Sequence, residues 1–212
     1  MPESEFIFSK SIVTRFSHDL AGVISAISNS LSLLDELGGG DPETLKLAAD
    51  NADILMGRLR FFRAAFGNEG PLTDIAVTQR IFEDYLKTLE NKAVHYTCVW
   101  RTDQELPIFI FRLILLSGLI AAECLPRGGQ ILIRAQAGSR QVYLEAEGQN
   151  VSLDPKIQAT LNDYADGVSS SKLMPLIFLQ KCLAEQDWQI SVTDHNEKAV
   201  ILLSEKRLIV DG

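Results

Sequence analysis

The feature that most limits how this chain can fold is a pair of apolar stripes on either side of three consecutive glycines. From Ile12 to Leu37 there is no proline, and apolar residues recur at Val13, Phe16, Leu20, Val23, Ile27, Leu31 and Leu34. Spacings of three and four put such residues on one face of a helix. Gly38-Gly39-Gly40 ends the pattern, and Asp41-Pro42 restarts it with a capping carboxylate and a proline at the first helical position, where a missing N–H costs nothing. From Pro42 to Phe66 the stripe continues at Leu45, Ala48, Ala52, Leu55, Leu59, Phe62 and Phe66. Two long helices joined by so short a loop form an antiparallel hairpin. A lone hairpin has too little facing surface to bury both stripes, so a second copy is expected to close a four-helix bundle and make the protein a homodimer.

The periodicity changes after the turn cluster Gly67-Asn68-Glu69-Gly70-Pro71. The expected division is a helical hairpin over 1–69 and a second domain over 70–212. In the second part a helix is expected near Val77 to Leu89, a strand at Val94 to Trp100 and an apolar helix at Ile108 to Cys124. Strands follow at Ile131 to Ala137 and Val142 to Ala146, then a poorly patterned stretch from Gly148 to Val168. A helix at Leu173 to Glu185 and strands at Gln189 to Thr193 and Ala199 to Ser204 complete the chain. This order gives an α+β fold, an antiparallel or mixed sheet with helices over one face.

Composition narrows the function classes. A net charge of −8 argues against a broad nucleic-acid surface, which needs clustered Lys and Arg. Cys98, Cys124 and Cys182 form no CxxC pair and stand near no histidine at zinc spacing, so they read as buried thiols of a reducing cytoplasm. The first residues, Met-Pro-Glu-Ser-Glu, carry acids where a secretory signal carries bases. Leu106 to Leu125 imitates a membrane span, but Arg112 would cost roughly 2.5–3.5 kcal/mol near a bilayer centre, so a core helix is expected and no membrane contact. His95 and His195 have no acids or cysteines at ligand spacing, and no metal or cofactor is expected to be bound.

His18 is the candidate catalytic residue. At about 100° per residue it falls nearly opposite the direction shared by Phe16, Leu20, Val23, Ile27 and Leu34. Around it lie Ser11, Arg15, Gly22, Ser25, Asn29 and Ser32, small or polar side chains where a solvated helix would carry Lys and Glu. A solvated surface histidine beside an ordinary acid would look the same in isolation. The hairpin and the small-residue strip favour a docking face for another protein, with Arg15, Gly22, Ser25 and Asn29 as candidate partner-binding residues. A neutral imidazole offers one ring nitrogen as nucleophile, and Asp19 is placed to support the other ring nitrogen. Counting outward from the loop puts Phe61 level with His18, with Arg58 and Arg60 nearby, as anion contacts or as plain surface charges.

Phe16-Ser17-His18-Asp19-Leu20, followed by Ile24-Ser25-Ala26-Ile27-Ser28-Asn29-Ser30-Leu31 and Leu33-Leu34, resembles the phosphoacceptor helix of histidine kinases. More closely it resembles the ChpT-type histidine phosphotransferases of alphaproteobacterial cell-cycle relays. The resemblance implies a histidine that takes a phosphoryl group from the receiver domain of a hybrid kinase and passes it to the receiver domain of a response regulator, with Mg2+ held by the receiver. It also implies a second domain resembling a degenerate kinase ATPase domain. Residues Leu113 to Gly129 are similar to the kinase helix that carries two asparagines, and Ser117 and Ala121 stand at those positions. Of the Asp-x-Gly-x-Gly motif, near Glu145 to Asn150, only Gly148 remains, and the last glycine-rich loop corresponds to Ser169-Ser170-Ser171-Lys172-Leu173. The resemblance therefore implies a phosphocarrier without ATP use. Gly22 stands where many bifunctional kinases place Thr or Asn to hold a hydrolytic water, which implies little phosphatase activity. A silent dimeric scaffold that binds a receiver, and a divergent ATP-dependent kinase, are the alternatives; the missing asparagines disfavour the second.

Overall fold

The computed structural model describes residues 3–67, 72–103, 105–136, 138–162, 171–195 and 197–206. Helix α1 spans Glu3–Glu36 and α2 spans Pro42–Phe66. The bounds of α2 match expectation because its cap is local: the Asp41 carboxylate accepts from the Thr44 amide at 3.0 Å and from the Thr44 hydroxyl. Helix α1 starts well before Ile12, since nothing between Glu3 and Lys10 is a helix breaker. At its far end Gly38 and Gly39 take φ of 73° and 80°, and the Gly39 amide donates to the Leu34 carbonyl at 2.7 Å. A side chain at either position would be strained in that left-handed geometry.

After the hairpin come α3 (Ile75–Lys87), β1 (His95–Thr102), α4 (Ile108–Glu123), β2 (Gly128–Ala135) and β3 (Gln141–Glu147). The chain continues with α5 (Pro155–Asn162), a 3-10 turn (Ser171–Leu173), α6 (Met174–Ala184), β4 (Trp188–His195) and β5 (Lys198–Glu205). The start of α3 is earlier than expected because Asp74 caps it, accepting from the Val77 amide at 2.8 Å. The unpatterned stretch contains α5, and its continuation over 163–170 lies outside the described residues, as does the expected boundary loop over 68–71.

The five strands form one sheet in the order β1-β2-β3-β5-β4. β1 runs parallel to β2, with α4 as the crossover, and the remaining pairs are antiparallel, so the sheet is mixed. Helices α3, α4 and α6 cover one face. Toward them point Val142, Leu144 and Ala146 of β3 and Ala199, Ile201 and Leu203 of β5, all buried, while Gln130, Arg134 and Ser191 face outward. The alternation is what one solvated sheet face imposes on sequence.

Helix α4 lies between sheet and hairpin and is buried almost throughout from Ile110 to Ala122. Its Arg112 reaches out to donate to the Gly67 carbonyl at the end of α2, 2.7 Å away, where the helix dipole favours a cation. The core is continuous across the two expected parts: Phe61 and Phe62 of α2 join the same cluster as Phe82, Tyr85, Ile114 and the sheet residues. Phe61 is wholly buried and stacks on Tyr85 with ring centroids 3.9 Å apart, a burial of about 1.5–3 kcal/mol for a side chain of this size. Farther out, the hairpin leaves Val13, Ile24, Leu31, Leu45 and Leu47 exposed. Among the described residues no helix is long and apolar enough to cross a membrane.

Candidate functional site

His18 projects from the middle of α1 with 87% of its side chain exposed. Its Nδ1 lies 3.3 Å from Oδ1 of Asp19. Although successive helical residues diverge by about 100°, both side chains bend toward each other enough to meet. An ionised carboxylate only accepts hydrogen bonds, so this contact suits the tautomer with the ring proton on Nδ1, the form in which Nε2 keeps its lone pair. Nε2 has no hydrogen-bond partner among the described residues and faces solvent.

Asp19 is itself held from two sides. Arg15, one turn earlier on α1, donates from Nε to Asp19 Oδ2 at 2.6 Å, a pairing favoured at this spacing. Arg58 of α2 donates from Nη1 to the Asp19 backbone carbonyl at 2.6 Å and from Nη2 to the Thr88 carbonyl at 3.1 Å. Phe61, expected level with His18, is buried beneath this point, and Arg60 is on the surface. Arg58 thus ties α1 to the end of α3, while Arg60 makes no such contact among the described residues.

Two residues assigned to the exposed strip by helical counting turn inward. Ser11 is buried, and Arg15 has only 14% of its side chain exposed. The cause is the second part of the chain, whose 3-10 turn and α6 pack against this end of α1. Arg15 donates from Nη2 to Glu123 at the end of α4, and from Nη1 to the Lys172 carbonyl at 3.4 Å. Gly22, Ser25 and Asn29 are exposed as expected, and a Cβ at Gly22 would meet nothing within 4 Å. The open strip therefore begins at His18 and runs toward the hairpin loop.

Between α1 and the second part lies a groove of about 650 Å³ lined by His18, Arg15, Asp19, Glu123, Asp154 and Lys172 among others. Burial disfavours the charged form of Glu123 and raises its carboxyl pKa, with Arg15 opposing that effect. Burial alone would weaken protonation of Arg15, but the carboxylates of Glu123 and then Asp19 more than offset it and hold the guanidinium more firmly charged than usual. Glu123 was not among the candidate residues read from the sequence. The Arg15 and Asp19 spacing was a visible signal for their pairing; the contact with Glu123 had none.

Ser117 is wholly buried with a hydroxyl that has no partner among the described residues, and Ala121 is buried beside it. Cys98, Cys124 and Cys182 are free thiols. His95 and His195 are exposed strand residues, and no group of His, Cys, Asp or Glu among the described residues is arranged to hold a metal.

Residues 76–198 match the family model described as the histidine phosphotransferase C-terminal domain. Over 151 residues the chain is 28% identical to the protein phosphotransferase ChpT of Brucella abortus (strain 2308), covering 68% of this chain and 69% of that one. In three dimensions it is similar to a solved bacterial phosphotransferase, with a TM-score of 0.76 at 23% identity over 93% of this chain and 95% of that one; at that identity the likeness shows the shared fold.

Proposed function

Because the chain belongs to the histidine phosphotransferase family, we propose that it carries a phosphoryl group on His18 between the aspartates of receiver domains, taking it from a hybrid kinase and delivering it to a response regulator. The observation that carries this reading is the exposed imidazole, with Nδ1 against Asp19 and Nε2 open at the head of the small-residue strip. A receiver aspartyl phosphate sits in a shallow site on another globular protein, so its acceptor has to project from a face that lets backbone come close. Gly22, Ser25 and Asn29 make such a face. The transfer needs little covalent chemistry from the carrier, mainly position and charge compensation, and the Mg2+ belongs to the receiver.

ATP has no part in this reading. What supports this is that Ser117 and Ala121, at the positions where kinases carry asparagines, lack the side-chain amide and are buried. The working form is a homodimer in the cytoplasm, with the exposed apolar residues of the hairpin covered by the second copy.

Incubation with a phosphorylated receiver domain carrying radiolabelled phosphate tests the reading. Label should pass to the wild-type chain within seconds to minutes and fail to appear on His18→Ala, while His18→Ala still binds the receiver. Label on His18→Ala would remove the central assignment, and binding by both proteins with label on neither would make the chain a scaffold.

A further inference from the structure

The Arg15 contacts reach further than the packing of two elements. We propose that Arg15 is a positioning residue that sets the reactive tautomer of His18: it holds the Asp19 carboxylate against His18 Nδ1, and Glu123 of the second domain holds Arg15. The inference rests on His18 being the phosphoryl carrier, and it assigns the second domain a direct part in preparing that residue.

The geometry is a chain of charge-assisted contacts. His18 Nδ1 meets Asp19 Oδ1 at 3.3 Å, Asp19 Oδ2 accepts from Arg15 Nε at 2.6 Å, and Arg15 Nη2 donates to Glu123. The two oxygens of Asp19 are divided between the histidine and the arginine, so the carboxylate cannot rotate away from His18 without breaking the shorter bond. Arg15 cannot swing out to solvent either, because its side chain is enclosed by the second domain and its Nη1 donates to the Lys172 carbonyl. A guanidinium this buried is stable only when paired. Arg58 from α2 steadies the backbone of the same residue through the Asp19 carbonyl. Tyr85 from α3, Tyr96, Cys124, Asp154 and the Lys172 side chain are the other titratable groups lining the space around these contacts.

The consequence is chemical. An unrestrained histidine side chain favours the proton on Nε2, which would occupy the nitrogen that faces solvent. With Asp19 fixed, the proton sits on Nδ1 and the Nε2 lone pair is ready. In the transfer, that lone pair forms a bond to phosphorus, the bond from phosphorus to the donor's carboxylate oxygen breaks, and its electron pair returns to the donor aspartate. The ring gains positive charge, its Nδ1 proton stays in place, and Asp19 compensates that charge. No proton enters or leaves. Relay of orientation through a second carboxylate or cation is the same logic by which an aspartate fixes the tautomer of a catalytic histidine elsewhere.

The test uses the intact chain with its histidine rings labelled with nitrogen-15. Ring shifts at neutral pH should report the Nδ1–H form for His18 in the wild type and a shift toward Nε2–H in Arg15→Gln. Chemical phosphorylation by phosphoramidate, which needs no receiver, should slow roughly five- to tenfold in Arg15→Gln, recover in part in Arg15→Lys, and slow in the same direction in Glu123→Gln. Thermal melts check that each variant is folded; Glu123, with 36% of its side chain exposed, supplies the variant that survives if Arg15→Gln does not fold. A wild-type ring with its proton on Nε2, or folded Arg15 and Glu123 variants with unchanged tautomer and labelling within twofold, would overturn the inference. If tautomer and labelling respond but no receiver donates to His18, the relay reading fails and the positioning role stands.

Discussion

Among single residues, the carboxylates divide by what surrounds them. Asp41 is held below its ordinary pKa by the Thr44 hydroxyl and then the Thr44 amide, and Asp74 by the Val77 amide and then the Thr73 hydroxyl. For both, the folded pKa lies below the unfolded one, so their contribution to stability is present above about pH 3.9 and is lost as pH falls through the depressed folded value. Asp41→Ala and Asp74→Ala should therefore melt below wild type at pH 7, and the gap should narrow toward pH 2.5; melts followed by circular dichroism at pH 7, 4 and 2.5 measure it, and a constant gap would contradict the capping account. Glu123 has the opposite sign. Its folded pKa is raised by burial, so its charged form opposes folding as pH rises through its ordinary range, and Arg15 limits that cost. Burial also pushes the Cys98 and Cys124 thiols up to about 12, which keeps them protonated and unreactive at neutral pH.

The elements show how an apolar helix comes to carry charge. Helix α4 has Arg112 near its start and Glu123 at its end, and each binds the hairpin, Arg112 at the Gly67 carbonyl beyond α2 and Glu123 at Arg15 on α1. Arg112, the charge that argued against a bilayer, and Glu123 are polar fastenings of α4 to the helices in front of it. Helix α1 carries a different tension at Gly22, an exposed glycine in a helix interior with open space where a Cβ would stand. Gly22→Ala should stabilise the folded protein by about 0.5–1 kcal/mol, raising the melting temperature. If the strip is where a receiver docks, the added methyl should at the same time slow phosphotransfer to His18. A faster transfer alongside greater stability would show that close approach at Gly22 is not required.

For the molecule as a whole, the unfinished surface is on the hairpin. Val13, Ile24 and Leu31 are spaced by eleven and seven residues, which keeps them within about 20° of one another on α1 and about 60° round from the stripe that packs on α2. Leu31 is 54% exposed, and Leu45 and Leu47 add to the apolar surface on α2. In the proposed homodimer, a second hairpin would cover this patch. Light scattering coupled to size exclusion should give twice the chain mass for wild type and a single mass for Leu31→Glu. A monomeric wild type at tens of micromolar would contradict the bundle. The His18 tautomer should be unchanged in Leu31→Glu, because the Arg15, Asp19 and Glu123 contacts lie within one chain.

Local rules made part of this protein legible. The hairpin, the bounds of α2 and the exposure of His18 follow from periodicity, caps and turn residues, which act within a few positions along the chain. The alternation in β3 and β5 was readable for the same reason. Helix α5 was not, since Pro155–Asn162 is too short for a helical stripe to repeat, and it packs near β4 and the 3-10 turn. Nor was the inward turn of Ser11 and Arg15: counting along α1 locates a face but cannot say which part of that face another segment covers. Asp19 could be placed beside His18 by sequence, yet its orientation depends on Arg15, and the orientation of Arg15 depends on Glu123, 108 residues away. No short-range preference encodes that contact. It exists because the parallel pairing of β1 with β2 and the continuous core seat the end of α4 against α1, so the sequence alone singled out His18 as the candidate nucleophile and the tertiary structure decided how the residues around it are held.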